Sequence, residues 1–437
     1  MDFIEDYFDQ FWGFVLVNDD FNLRSKEYWK RLGWGLIVGL ISAMGAFVFL
    51  GLMNYGQSLV LPDLGNWKPF TGPWWIIIVM GIVGFIVGMI RKYTSATQLD
   101  VFNSVDKGYM DPKPVPSSVL ASLITLIGGL SMGPEVPSGM IAAGFSSWFS
   151  KRLKMDDKTT KSNVISGIAS AYSGLFSSPF AVILMVLESS HVQSVVYYGT
   201  ILIAGLSAAI GFALFYGLGG MAYSPLLGIL APPAYHLELW QLGMGVVLGF
   251  VAVPFAMLLP ILNRLFTRIL TPINNKPVIR GTLGGILLGI LGVVLPTTIG
   301  LGTAQMPIIT QQAVEIGIVL LLVIALAKIL ALSGALSFGF IGGPIFPLLF
   351  VGSTLGSIIH ILFPQIPLGL ALGCMLVAVP AAVVPIPLAI GVIGVIVIGL
   401  PLTNVLPVLL ASLVAYATTN GLILKGGSIN TDKDSDN

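Results

Sequence analysis

Hydrophobic residues run through this chain in long blocks separated by short polar clusters, and the block lengths predict its elements. A helix that crosses a bilayer needs about 20 apolar residues, because each adds 1.5 Å against a hydrocarbon core about 30 Å thick. The chain carries long blocks at Leu32–Asn54, Pro73–Ile90, Val195–Leu218, Leu239–Leu262 and Arg280–Leu295. More follow at Glu315–Leu332, Ile345–Leu362, Leu368–Val384, Leu388–Leu400 and Pro401–Leu424. Trp74 and Trp75 stand at one edge of the second block and Arg91 and Lys92 at the other, as residues at membrane interfaces do. Three blocks in the first half are short: Val119–Met132, Pro137–Phe149 and Val164–Leu175, the last resuming after Ser177-Ser178-Pro179 as far as Leu187. Short apolar segments interrupted by glycine and proline are where transport proteins build sites from half-helices.

Between the first two short blocks lies the stretch Gly128–Gly139. Gly133, Pro134 and Pro137 cannot carry a preceding helix through, whereas Pro137 suits the first turn of a new one. Glu135 is expected just ahead of that helix, beside backbone N–H groups that have no intrahelical acceptor. Such a helix start in an apolar region is a ready anion site, and a carboxylate there can fill it or vacate it on protonation. The same G-P-x-x-P spacing returns at Gly343–Pro347. A second proline-broken segment follows each, Ser178-Pro179 and Val384–Pro387, about 40 residues downstream. The pattern predicts two inverted membrane repeats, residues 33–218 and 239–424, joined by a loop at 219–238.

Composition narrows the class. Of 437 residues, 55% are hydrophobic and 9% charged, where a water-soluble chain has about a quarter charged. With a mean hydropathy of +0.93, the expected fold class is an all-α polytopic membrane protein. A net charge of +1 implies no bulk electrostatic partner and argues against nucleic acid. The lone Cys374 excludes an intramolecular disulfide, and His191, His236 and His360 are scattered, so neither metal nor cofactor is expected. There is no Walker loop, H-E-x-x-H or nucleophile elbow, so no enzyme chemistry is expected.

The ends of the chain complete the topology. Within residues 1–32, Phe3, Ile4, Tyr7, Phe8, Phe11, Trp12 and Val15 recur at helical spacing and predict a helix lying on the membrane surface. Basic residues collect at Arg24–Arg31, Arg91–Lys92, Lys151–Lys161 and Arg264–Arg280, which places these clusters and both termini on the cytoplasmic side. Residues 425–437 read as a polar, disordered cytoplasmic tail.

Four ionisable groups fall at membrane depth: Glu135, Glu188, Glu315 and Lys328. Charge is costly there, so each is a functional candidate. Glu135 leads, because glycine and proline force the helix start beside it. Glu188 closes an apolar run, either as an interfacial cap or in transport. Glu315 is expected to open a helix, and Lys328 to snorkel or to neutralise carbonyl groups. Ser95, with Gln98 three residues on, has the form of a capping box and predicts a helix start; a hydroxyl donated to an anion is the alternative.

These motifs resemble the CLC superfamily of chloride channels and chloride/proton exchangers, whose signatures are G-S-G-I-P, G-(K/R)-E-G-P and G-x-F-x-P. Gly133–Pro137 is similar to the second signature, and Gly342–Pro347, continuing to Gly356, to the third. Ser177–Glu188 resembles the family's proline-started helix that ends in acidic residues, and Thr94-Ser95-Ala96 sits where the first signature belongs. The resemblance spans residues 33–424 and is strongest to a short bacterial branch described only as ion-transport proteins.

That resemblance implies a CLC-like inverted-repeat bundle with broken and re-entrant helices, in the bacterial inner membrane, as a homodimer with a pore in each subunit. It implies Glu135 as gate and proton acceptor, with Ser95, Gly133, Val136, Ile345 and Phe346 contacting the anion and Glu188 on a proton path. The activity implied is transport of a small monovalent anion, chloride first, by a channel or an anion/proton antiporter. A fluoride/proton antiporter of the same fold and a non-conducting scaffold or sensor stay open. The chain departs from the signatures at Pro134, where the family has a basic residue, and at Val136, where it has glycine. It has Ser189 where many exchangers carry a second glutamate, and residues 418–424 lack the family's tyrosine.

Overall fold

The structure, a computed structural model, describes residues 25–62, 68–189, 196–220, 230–233 and 235–431. The surface helix expected near the amino terminus lies outside these residues. Seventeen α-helices and no strands are found among them. The first are α1 (Lys26–Val60), α2 (Trp75–Tyr93), α3 (Val101–Lys107), α4 (Val115–Ile127), α5 (Glu135–Arg152), α6 (Asp157–Leu175), α7 (Pro179–Ser189) and α8 (Val196–Gly219). Then come α9 (Leu239–Ile269), α10 (Pro277–Val294), α11 (Gln305–Gln311), α12 (Ala313–Ile316) and α13 (Ile318–Phe338). The last are α14 (Ile345–Leu362), α15 (Leu368–Ala381), α16 (Pro387–Ile398) and α17 (Val405–Thr431). Eight are long and apolar enough to cross a membrane, while α4, α7, α15 and α16 are apolar but shorter. This is a multi-pass membrane protein.

Glycine and proline set where these helices stop. Ser177 takes φ +56° and ends α6, and the Ser178 hydroxyl accepts from Ala181 N at 3.1 Å, so α7 begins at once on Pro179. The block expected to run unbroken from Glu315 to Leu332 is two helices, because Gly317 takes φ +80° between α12 and α13. The helix expected to start at Ser95 is absent, since the chain is non-helical from Ser95 to Asp100. There α3 starts at Val101 instead, with the Asp100 carboxylate accepting from Asn103 N at 3.0 Å. At the other end α17 continues through Lys425 to Thr431, where a disordered tail was expected; no proline follows Pro407 to stop it.

The chain forms two compact units. One contains residues 1–48, 100–112 and 138–224, the other 49–99, 113–137 and 225–437. In the first, α6 is buried almost end to end and packs on α7 and α8. In the second, α2 and α10 meet along a seam of glycines: a Cβ on Gly84 would strike the Gly281 carbonyl, and one on Gly285 the Met80 carbonyl. Backbones that close leave no room for any side chain, the usual way membrane helices gain contact without a hydrophobic drive. The interior of this unit is α14 with α15, both buried over most of their length.

Candidate functional site

Two tight loops meet in the second unit. Gly133 N donates to Gly343 O at 2.7 Å and Gly343 N to Gly133 O at 2.8 Å, so the two loops pair as a single antiparallel bridge. Two residues further along each loop a helix begins, α5 at Glu135 and α14 at Ile345. Pro137 and Pro347 are the third residue of each, where their missing N–H would have had no partner. Glu135 is thus the first helical residue itself rather than the one ahead of the helix.

The Glu135 side chain lies back across this bridge, only 2% exposed. Its Oε1 accepts from the backbone N–H of Ile345 at 2.6 Å, although the two are 210 residues apart in sequence. That N–H is one of the unpartnered donors of the α14 start, and the contact has the shortness of a charge-assisted hydrogen bond. The glycines provide the space. A Cβ at Gly133 or at Gly343 would fall on the Glu135 carboxyl group.

The surrounding residues hold the α14 entry in place. Gln98 uses both ends of its amide, donating to Gly342 O at 2.9 Å and accepting from Gly342 N at 3.2 Å. Thr97 N, next to it, donates to the Ser118 hydroxyl at 3.0 Å. Arg91 donates to Gly339 O at 2.6 Å and Arg280 to Ser337 O at 2.9 Å, which satisfies carbonyls at the carboxyl end of α13.

The structure brings only some of the candidate residues together. Gly133, Glu135 and Ile345 meet. Phe346 is buried as the second residue of α14, and Val136 is half-buried as the second of α5. Ser95 is exposed on the same non-helical segment as Gln98. Glu188 is half-buried in the last turn of α7, in the other compact unit. Gln98 was read only as a helix cap, and its partner lies 244 residues away, so nothing local could reveal its role.

Broken helices whose starts converge on one buried carboxylate are the architecture of a membrane ion-transport protein. The chain belongs to the voltage-gated chloride channel family, whose profile matches residues 99–420. It is 26% identical over 352 residues to "Putative ion-transport protein YfeO" of Escherichia fergusonii, covering 78% of this chain and 82% of that one. The protein of that name from Salmonella newport is 28% identical over 350 residues, with the same coverage. Among solved structures, a slow cyanobacterial Cl-/H+ antiporter superposes with a TM-score of 0.72 at 18% identity, over 90% of this chain and 94% of that one. A CLC-type fluoride/proton antiporter gives 0.72 at 21% identity, over 90% and 96%. The fold is therefore the CLC fold.

Proposed function

We propose that this protein carries a small monovalent anion, chloride foremost, across the bacterial inner membrane, with Glu135 as gate and proton acceptor. The observation that supports this reading is the Glu135 carboxylate seated on the Ile345 N–H. A carboxylate oxygen and a halide ask the same of a helix start: N–H donors and the positive end of the dipole, with no cation needed. Glu135 thus occupies a place that a permeating anion would take. Ile345 offers the donor, with Val136 and Phe346 next in line on the two helix starts. The Gly133 N–H is engaged by Gly343, so its part is the room it leaves for the carboxylate.

Protonation makes Glu135 a weaker acceptor and lets it swing off the N–H, which an anion then takes. In an antiporter the proton on Glu135 travels against the anion, and Glu188 is the group we assign to that path. Ser95 is a further candidate anion contact. The working unit in this reading is a homodimer with a pore in each subunit and both termini in the cytoplasm.

Efflux from proteoliposomes holding purified protein, with internal pH followed at the same time, tests this. Chloride efflux accompanied by proton uptake is the expected result, with fluoride as the comparison anion. Greater fluoride than chloride flux would replace chloride as the substrate, and efflux without proton movement would make the protein a channel. Absence of flux for every halide would end the halide reading.

A further inference from the structure

Lys328 lies on α13. It is the eleventh residue of this 21-residue helix, at the middle of an apolar span, and is completely buried. Its ammonium donates to the carbonyl oxygens of Gly300 at 2.7 Å, Thr297 at 3.2 Å and Thr298 at 3.3 Å. The face of the Phe350 ring lies 5.0 Å from the nitrogen. An ammonium has three N–H donors, and three carbonyls take them, so none is left to grip an anion directly. No carboxylate pairs with Lys328 among the described residues, so its charge is balanced only by carbonyl dipoles and a ring quadrupole.

Both helix starts of the site connect to this cage. Gly300, whose carbonyl makes the shortest bond to Lys328, donates its N–H to Gly129 O at 2.7 Å. Gly129 stands four residues before Gly133, in the loop that delivers Glu135. Phe350 stands five residues after Ile345 on α14, about 7.5 Å along the helix. Gly302 closes the cage on that ring, where a Cβ would come within 2.7 Å of the Phe350 Cβ.

We propose that Lys328 is an intramembrane cation that joins the two helix starts and raises anion affinity at the site through its charge, without touching the anion. It is a positioning residue, and this rests on the anion-transport reading above. Without it, three carbonyl oxygens would face an apolar interior with their negative ends unpaired. With it, the same place carries net positive charge, while the gate itself brings only negative charge. At an effective dielectric near 20, a unit charge about 10 Å from an anion would be worth about a tenfold change in affinity.

The test is the chloride dependence of efflux in Lys328→Met, Lys328→Gln and Lys328→Arg. Methionine deletes the charge at similar volume. Glutamine also deletes it but keeps an N–H donor for the carbonyls, which guards against misfolding, and arginine keeps the charge. Half-saturating chloride should rise about tenfold in the Met and Gln variants, with maximal rate within about threefold, and return to within about threefold of wild type in the Arg variant. An unchanged half-saturation in the Gln variant, or an equal shift in the Gln and Arg variants, overturns the proposal. A purely structural role would instead lower maximal rate and folded yield together. Wild-type protein with no halide flux would overturn the transport reading and this proposal with it; normal wild-type flux beside an unshifted Gln variant overturns this proposal alone.

Discussion

The helix starts of α5 and α14 share a G-P-x-x-P frame, a bridge between their first glycines, and a proline at the third helical position. They differ in the first helical side chain: Glu135 on one, Ile345 on the other. Two copies of one backbone device therefore do opposite jobs. The start of α14 offers an unpartnered N–H, and the start of α5 supplies an anionic side chain that fills it. Had both carried carboxylates, two buried like charges would repel; had neither, no carboxylate would cover the Ile345 N–H. In the proposed reading, the duplicated backbone would make the anion site and the single unduplicated side chain would make it controllable.

Breaking this asymmetry should have graded effects. Glu135→Ala makes the two starts chemically alike, and proton movement measured in proteoliposomes should fall to the leak of empty vesicles while anion flux continues. Gly343→Ala leaves Glu135 in place but puts a methyl group where its carboxyl lies. Losing a charged hydrogen bond of about 1.5–3 kcal/mol should favour the open arrangement by about ten- to a hundredfold, read as anion flux at high pH. Gln98→Leu removes two hydrogen bonds from the Gly342 peptide. About 1–2 kcal/mol of stability should be lost, seen as an earlier unfolding transition in detergent. Ser95→Ala should have the smallest effect, about two- to threefold in half-saturating chloride, because one exposed hydroxyl is easily replaced by water.

The outline of this site was legible in the sequence because proline and glycine act locally. Pro347 and the apolar run behind it predict α14 at Ile345–Leu362, the bounds the structure has. The repeat of G-P-x-x-P likewise pointed to two helix starts of one kind. What the sequence could not show was contact between residues far apart. Ser95 and Gln98 have the spacing of a capping box, yet the Gln98 amide is held by Gly342, and Asp100 caps the helix instead. Lys328 was readable as a cation that meets carbonyls, but not that those carbonyls belong to Thr297, Thr298 and Gly300. The α2–α10 seam, where Gly281 meets Gly84 and Gly285 meets Met80, likewise became known only from the packing.

We propose that the charge on Glu135 closes the site, and the pH dependence of chloride efflux in wild type and Glu135→Gln checks this. In the proposed reading the closed form is held by the ionised carboxylate, so lowering pH would convert it to the neutral form and release the Ile345 N–H. Wild-type efflux should therefore rise as pH falls, and the Gln variant, fixed in a neutral form, should give a flat profile at a measurable rate. A Gln variant that kept the wild-type pH profile would rule Glu135 out as the gate, because some other group would then control the site.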